Sequence, residues 1–239
     1  MMTTVQSRYK LLNATNLKQR PYLPWLVKGV LPAKGLAVIY GPSGSGKSFL
    51  SLDLAASIAE GKSWFGRRVN SAPVVYLALE GEDGIRQRTE AWVKHNGLPL
   101  PNGLQFILQS FKLSDEKDVD ELAKVLPNGC VLIIDTLSKA SSTSDENTSH
   151  DMGVLTDAAK RLQELTDGLV LLIHHTGKNE SAGMRGHSSL SATIDASIQV
   201  SRQGSLRHWT FDKVKDGADG ASEGFKLLEV ELGIDADGD

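Results

Sequence analysis

Gly41-Pro-Ser-Gly-Ser-Gly-Lys47-Ser48 stands between the apolar run Leu36-Ala-Val-Ile-Tyr40 and a stretch, 47–60, in which Leu50, Leu54 and Ile58 recur at helical spacing. The octapeptide fills every fixed position of the pattern G-x-x-x-x-G-K-[ST], and its flanks supply the strand before and the helix after that the pattern requires. Glycines at these places let backbone N–H groups turn inward around phosphate oxygens. The helix N-terminus that follows points the positive end of its dipole at the same spot. Lys47 can reach β- and γ-phosphates, and the Ser48 hydroxyl can ligate Mg²⁺. A chance glycine-rich turn with an exposed lysine has the same letters but lacks the strand and helix on either side. The residues therefore anticipate binding of ATP and Mg²⁺ by Gly41, Pro42, Ser43, Gly44, Ser45, Gly46, Lys47, Ser48 and the adjoining Phe49.

Apolar runs over 74–79, 104–108, 131–135 and 169–173 read as further strands, and the stretches 85–95, 119–126 and 152–166 read as helices between them. Short continuous apolar strands alternating with helices make an α/β fold: a mostly parallel central sheet flanked by helices on both faces. In such a sheet the working residues gather at the carboxyl ends of the strands. A Ser/Thr-rich loop is expected at 141–149 and a Gly/Ser-rich loop at 177–191. Strands over 193–200, 209–214 and an alternating edge strand over 225–232 close the chain as antiparallel C-terminal strands before an acidic tail. Pro21, Pro24 and Pro32 disfavour a long helix near the start, so residues 1–30 are expected as an arm on this subunit or a neighbour, and 31–239 as one ATPase domain.

The chain has 239 residues, 40% hydrophobic and 23% charged, with a formal net charge of -3, which suits one globular domain and announces no nucleic-acid affinity through bulk charge. The single Cys130 sits in an apolar run, which points to a buried thiol and a reducing compartment. No run is long enough to span a bilayer and the first residues lack the apolar core of a signal peptide, so a cytoplasmic protein without membrane contact is expected.

Asp135 ends the run Val131-Leu-Ile-Ile and fits a Walker B aspartate, a carboxylate delivered by a buried strand to hold a magnesium-bound water. Hydrolysis also needs a base for the attacking water, and Thr136 rather than an acid follows Asp135. Glu80, at the end of the 74–79 strand, would lie beside the phosphate loop; Glu82 and Asp83 compete with it, and Glu80 as a mere cap of the next helix is the plainer alternative. His174 or His175 could donate to a γ-phosphate or relay its presence to the next loop. Adjacent strand residues face opposite ways, which argues against both joining one metal site.

Taken together these residues resemble the RecA-like P-loop ATPases, and more closely the RepA-type hexameric replicative helicases and related plasmid and phage ATPases. The marks are Pro24-Trp-Leu-Val-Lys-Gly-Val-Leu-Pro, Val75-Tyr-Leu-Ala-Leu-Glu80, Leu132-Ile-Ile-Asp135-Thr-Leu, Ile173-His-His175-Thr-Gly-Lys and Met184-Arg-Gly-His-Ser-Ser189, spread from about Trp25 to Gly217. The resemblance implies that Glu80 is the catalytic base, and that Arg185 reaches the nucleotide of an adjacent subunit. It likens Lys213-Val-Lys215 to the Lys-x-Arg finger used between subunits, although Lys215 lacks the guanidinium fork.

The family's usual assembly is a ring of six, so the resemblance implies a homo-oligomer, a hexamer, that works as an ATP-driven motor on single-stranded DNA, with a replicative helicase role. The resemblance puts Lys139, Lys178 and Arg185 where such motors grip DNA, but the same loops contain Asp145, Glu146 and Glu180 and no aromatic residue, so plain solvated loops are the equal alternative. A RecA-like recombination or repair ATPase and an ATP-switched regulatory ATPase are the alternative expectations.

Overall fold

In the computed structural model, which describes residues 10–22, 24–141, 148–176, 188–214 and 220–233, the chain enters through a short exposed helix and turns at once into the core. Helix α1 (Ala14–Lys18) is capped by Asn13, whose side chain accepts from the Asn16 N–H at 2.8 Å, and it buries none of its residues. Strands β1 (Trp25–Val27) and β2 (Leu31–Pro32) pair antiparallel. Leu26, Val27, Val30 and Leu31 are buried in the same cluster as the main sheet, so the expected arm shares the domain's core from Trp25 onward.

The main elements follow as β3 (Gly35–Gly41), α2 (Lys47–Glu60), β4 (Val74–Ala78), α3 (Glu82–Asn96), β5 (Leu104–Ile107), α4 (Glu116–Val125), β6 (Val131–Asp135), α5 (Leu137–Ala140), α6 (Ser149–Thr166), β7 (Leu169–His175), α7 (Ser188–Thr193), β8 (Ala196–Gln203), β9 (Leu206–Val214) and β10 (Ser222–Phe225). Eight strands form one sheet in the order β10-β9-β8-β3-β7-β6-β4-β5. From β8 to β5 the pairings are parallel; β9 and β10 join antiparallel. This is the mostly parallel α/β sheet with antiparallel C-terminal strands that the alternating runs call for.

Period-two alternation divides each central strand between two cores. Ala37, Ile39, Val131, Ile133, Leu171 and Ile173 face the side of α2. Val38, Leu132, Ile134, Val170 and Leu172 face α4 and α6. The register then aligns Gly41 with His175, Ile173 with Asp135, and Asp135 with Ala78, so four strand ends meet at one edge.

Several boundaries differ from the sequence expectation for identifiable reasons. Helices α3, α4 and α6 each begin three residues before the expected start, because the first apolar residue marks the first buried turn and not the cap. Asp115 accepts from the Lys117 N–H at 2.9 Å and Thr148 from the Asp151 N–H at 3.1 Å, one turn ahead of that residue. In the expected 177–191 loop, 177–187 lie outside the described residues, and Ser188–Thr193 is helical. Leu190 and Ile194, four apart, are both buried beneath it, which delays the strand expected at 193 until Ala196. The edge strand expected over 225–232 is Ser222–Phe225 instead. Phe225 pairs with Arg207, and β9 begins only at Leu206, so residues 226–233 run past the end of their partner and form no ladder.

Candidate active site

β3 ends in the glycine-rich loop, and the packing there demands glycine. A Cβ on Gly41 would stand 2.1 Å from the Val200 carbonyl oxygen, so no other residue lets the loop leave β3 so close to β8. Gly44 and Gly46 have φ of 72° and 98°, where a side chain is strained. Gly46 caps α2 and supplies no side-chain acceptor, so the N–H groups of the first helical turn present their dipole without a capping oxygen. Ser45 is buried inside the turn, Ser43 is exposed and Pro42 half-buried.

Lys47 opens α2 and is 5% exposed. Its Nζ donates to the carbonyls of Gly41 at 3.0 Å and Pro42 at 2.8 Å and lies 3.4 Å from His175 Nδ1. Burial pulls its pKa down, and the carboxylates of Asp135 and Glu80 oppose that pull. An ammonium folded back on its own loop's carbonyls can exchange them for phosphate oxygens without moving its backbone.

Asp135, delivered by β6, is 1% exposed. Its Oδ2 accepts from the Tyr76 hydroxyl at 2.6 Å, whereas Oδ1 is buried with no hydrogen-bond partner among the described residues. Burial raises its pKa; the Tyr76 and Ser48 hydroxyls and the Arg88 guanidinium work against that, and Glu80 adds to it. A buried acceptor left open beside a serine hydroxyl suits a cation or its bound water, which would settle the charge that burial disfavours. Among the described residues no group of three or more His, Cys, Asp or Glu could hold a metal, so Asp135 and Ser48 would need phosphate oxygens and waters to complete a shell.

Glu80 lies just beyond β4, pinned by its own N–H to the Asp135 carbonyl at 3.1 Å. Its Oε2 accepts from Thr136 Oγ1 at 3.0 Å and lies 3.8 Å from His175 Nε2. The side chain is 46% exposed, and its charge acts on both Lys47 and Asp135. Glu82 and Asp83 open α3, and their side chains lie outside the described part.

The two histidines separate. His175 joins Lys47 and Glu80, whereas His174 is 0% exposed and turned to the opposite face of β7. Lys213 does not reach this edge: it pairs with Ser197, well down the sheet, and its Nζ donates to the Ser191 carbonyl at 2.6 Å. Arg185, Lys215 and Lys178 lie outside the described residues, and Lys139 is exposed on α5.

Phe49 is 45% exposed on the first turn of α2, with the Arg88 guanidinium 5.9 Å from its ring centre. The two line a cleft of about 860 Å³ beside the loop, together with Trp92, Arg207 and Leu227. Sequence reasoning missed Tyr76, Arg88 and Arg207. The signal for Tyr76 was present, since a phenol in the middle of an all-apolar strand needs a buried partner; nothing local marked the two arginines. No helix among the described residues is long and apolar enough to cross a membrane.

A family model described as an AAA domain, AAA_25, matches residues 6–181. No curated protein sequence matches the chain significantly. Among solved structures the RadB recombinase superposes with a TM-score of 0.60 at 16% sequence identity, covering 82% of this chain and 89% of that one. A second solved structure, described as an ATPase domain, superposes with a TM-score of 0.62 at 12% identity, covering 82% of each chain. At these identities the likeness is one of fold, a RecA-like sheet with the glycine-rich loop after its central strand.

Proposed function

Because the chain belongs to the AAA domain family and has a RecA-like P-loop ATPase fold, we propose that it is an ATP-hydrolysing, ring-forming motor on single-stranded DNA, in its most specific form a replicative helicase. The observation behind the hydrolysis step is the convergence at one sheet edge of Lys47, Asp135 with its open Oδ1, and Glu80 held by Thr136.

In this reading the N–H groups of residues 44–47 and the Lys47 ammonium bind the β- and γ-phosphates. Mg²⁺, held by the Ser48 hydroxyl and through water by Asp135, would neutralise charge on the same oxygens. Glu80 orients the attacking water and takes its proton, with Thr136 steadying the carboxylate. His175 donates to the γ-phosphate and, two residues before the 177–187 segment, relays its presence. Arg185 from a neighbour stabilises the charge that develops on transfer, and Lys213 and Lys215 approach a neighbour's nucleotide as single cations. The cleft beside Phe49 and Arg88 accommodates the nucleoside.

A second reading, an ATP-switched regulatory protein, draws on the stretches 141–149 and 177–191: they contain Asp145, Glu146 and Glu180 and no aromatic residue for bases to stack on. The similarity to a recombinase fold keeps a filament-forming repair ATPase in the same comparison.

Steady-state ATP hydrolysis across a protein-concentration series, with and without single-stranded DNA and with mass followed in the same buffer, separates these. Turnover that rises with assembly and again with DNA supports the motor. DNA-indifferent turnover supports the regulatory ATPase, and DNA coating without strand separation supports the filament.

A further inference from the structure

Tyr76 lies in the middle of β4 and is 0% exposed, its ring against Phe106 of β5 with centroids 5.9 Å apart. In the register of β4 with β6, Tyr76 stands opposite Ile133 and Ala78 opposite Asp135. Side chains two apart on a strand share a face, so the phenol starts one pleat repeat below Asp135 on its own face and reaches along the strands toward the site. The hydroxyl donates to Asp135 Oδ2 at 2.6 Å. Packing against Phe106 needs only the ring.

An ionised carboxylate accepts at two oxygens, and rotation about its last torsion exchanges them over a broad, roughly two-fold profile. At Asp135 one oxygen is tied to the phenol, the Ser48 hydroxyl also acts on the carboxylate, and Oδ1 is buried with no hydrogen-bond partner among the described residues. We propose that Tyr76 is a positioning residue: by donating to Oδ2 it sets the rotation of the Asp135 carboxylate and leaves Oδ1 as the oxygen that receives a metal-bound water. Outer partners of this kind orient metal ligands elsewhere, and losing one weakens metal affinity by about 10–100-fold. The inference rests on the Mg-ATP reading above and adds to it the group that aims the carboxylate.

Tyr76→Phe keeps the ring and removes the donor. The readout is the affinity for a fluorescent ADP derivative, measured in Mg²⁺ and in EDTA, with thermal denaturation alongside. The variant is expected to lose about tenfold of the Mg²⁺-dependent gain in affinity, with its affinity in EDTA unchanged. In an Asp135→Asn background the same substitution should have no further effect on that gain, since its target is already gone. Phe106→Leu, which loosens the ring's packing but spares the hydroxyl, should lower stability and leave the gain intact.

An unchanged gain in Tyr76→Phe, an equal loss with and without Mg²⁺, or a loss that persists beside Asp135→Asn would each overturn the proposal. Should Tyr76→Phe not fold, 3-fluorotyrosine at position 76, a stronger donor of nearly the same shape, should shift the gain, and an unchanged value overturns the inference. If the unsubstituted protein binds the nucleotide with no Mg²⁺ dependence at all, the Mg-ATP reading fails first and the role of Tyr76 falls with it.

Discussion

Thr136 donates its hydroxyl to Glu80 Oε2 at 3.0 Å, across the gap between the ends of β6 and β4. The residue directly after Asp135 is thus no acid itself but the support of an acid brought by the neighbouring strand. Glu80→Gln should bind ATP within about twofold of the unsubstituted protein and lose hydrolysis by about a hundredfold or more. Thr136→Val should lower kcat by about tenfold with nucleotide affinity unchanged. Normal turnover in Glu80→Gln, read from steady-state kinetics and equilibrium nucleotide binding, would move the base to Glu82 or Asp83.

Lys47 is 5% exposed and its pKa is drawn down by burial, so without nucleotide its charge is held at a cost. Lys47→Ala should therefore leave the melting temperature of the nucleotide-free protein within about 3 °C and remove the stabilisation that ATP confers. A thermal-shift titration checks both. An ATP-induced shift of normal size in the variant would take Lys47 out of the phosphate site.

Gly41 and Gly44 sit three residues apart in the loop and should respond very differently to alanine. At Gly41 the new Cβ would meet the Val200 carbonyl oxygen at 2.1 Å, so β3 and β8 would have to part; a loss above about 4 kcal/mol is expected. At Gly44 nothing lies within 4 Å, and the cost reduces to holding alanine at a φ of 72°, about 1–2 kcal/mol. Urea denaturation of the two variants, compared by midpoint at equal slope, tests the contrast.

The trans role proposed for Arg185 predicts a pattern in mixed assemblies. Arg185→Ala alone should assemble yet turn over about a thousandfold more slowly. Mixed with subunits bearing Lys47→Ala, which keep the arginine but lose their own phosphate site, it should recover part of its activity. No recovery at any ratio would mean that the arginine does not serve a neighbour.

Cys130 is fully buried, and burial pushes its thiol from the ordinary 9.0 up to about 11. The folded pKa lies above the unfolded one, so this contribution to stability is intact below about pH 9 and is lost as pH rises toward about 11, where the unfolded chain alone has given up its proton. The loss amounts to about 3 kcal/mol at most. Cys130→Ala should shrink the fall in stability between pH 8.5 and pH 10.5, as read from denaturation midpoints at each pH. An identical fall in both proteins would show that the folded thiol titrates in the same range as the unfolded one, so that burial does not raise it.

Much of the site was legible in the residues because its parts are local. The loop pattern, its flanking strand and helix, and the carboxylates at the ends of 74–79 and 131–135 follow from short-range periodicity and from the backbone conformations that only glycine tolerates. Alternation alone also separated His174 from His175, but it could not say which of them faces α2. That depends on which face of β7 the helix covers, and so on the strand order.

Contacts between residues remote in the chain follow from the strand order instead. The hydroxyl of Tyr76 finds Asp135, 59 residues away, only because β4 and β6 lie side by side. Thr136 reaches Glu80 for the same reason. Residues 226–233 alternate like a strand yet form none, since the partner strand β9 begins only at Leu206. The phosphate loop and the placing of Glu80 and Asp135 at strand ends were readable in the residues alone, since their requirements are met within a few positions. Pairing, register and burial determined how those acids are held, because a hydrogen bond inside a sheet exists only once the two strands that carry its partners have been brought together.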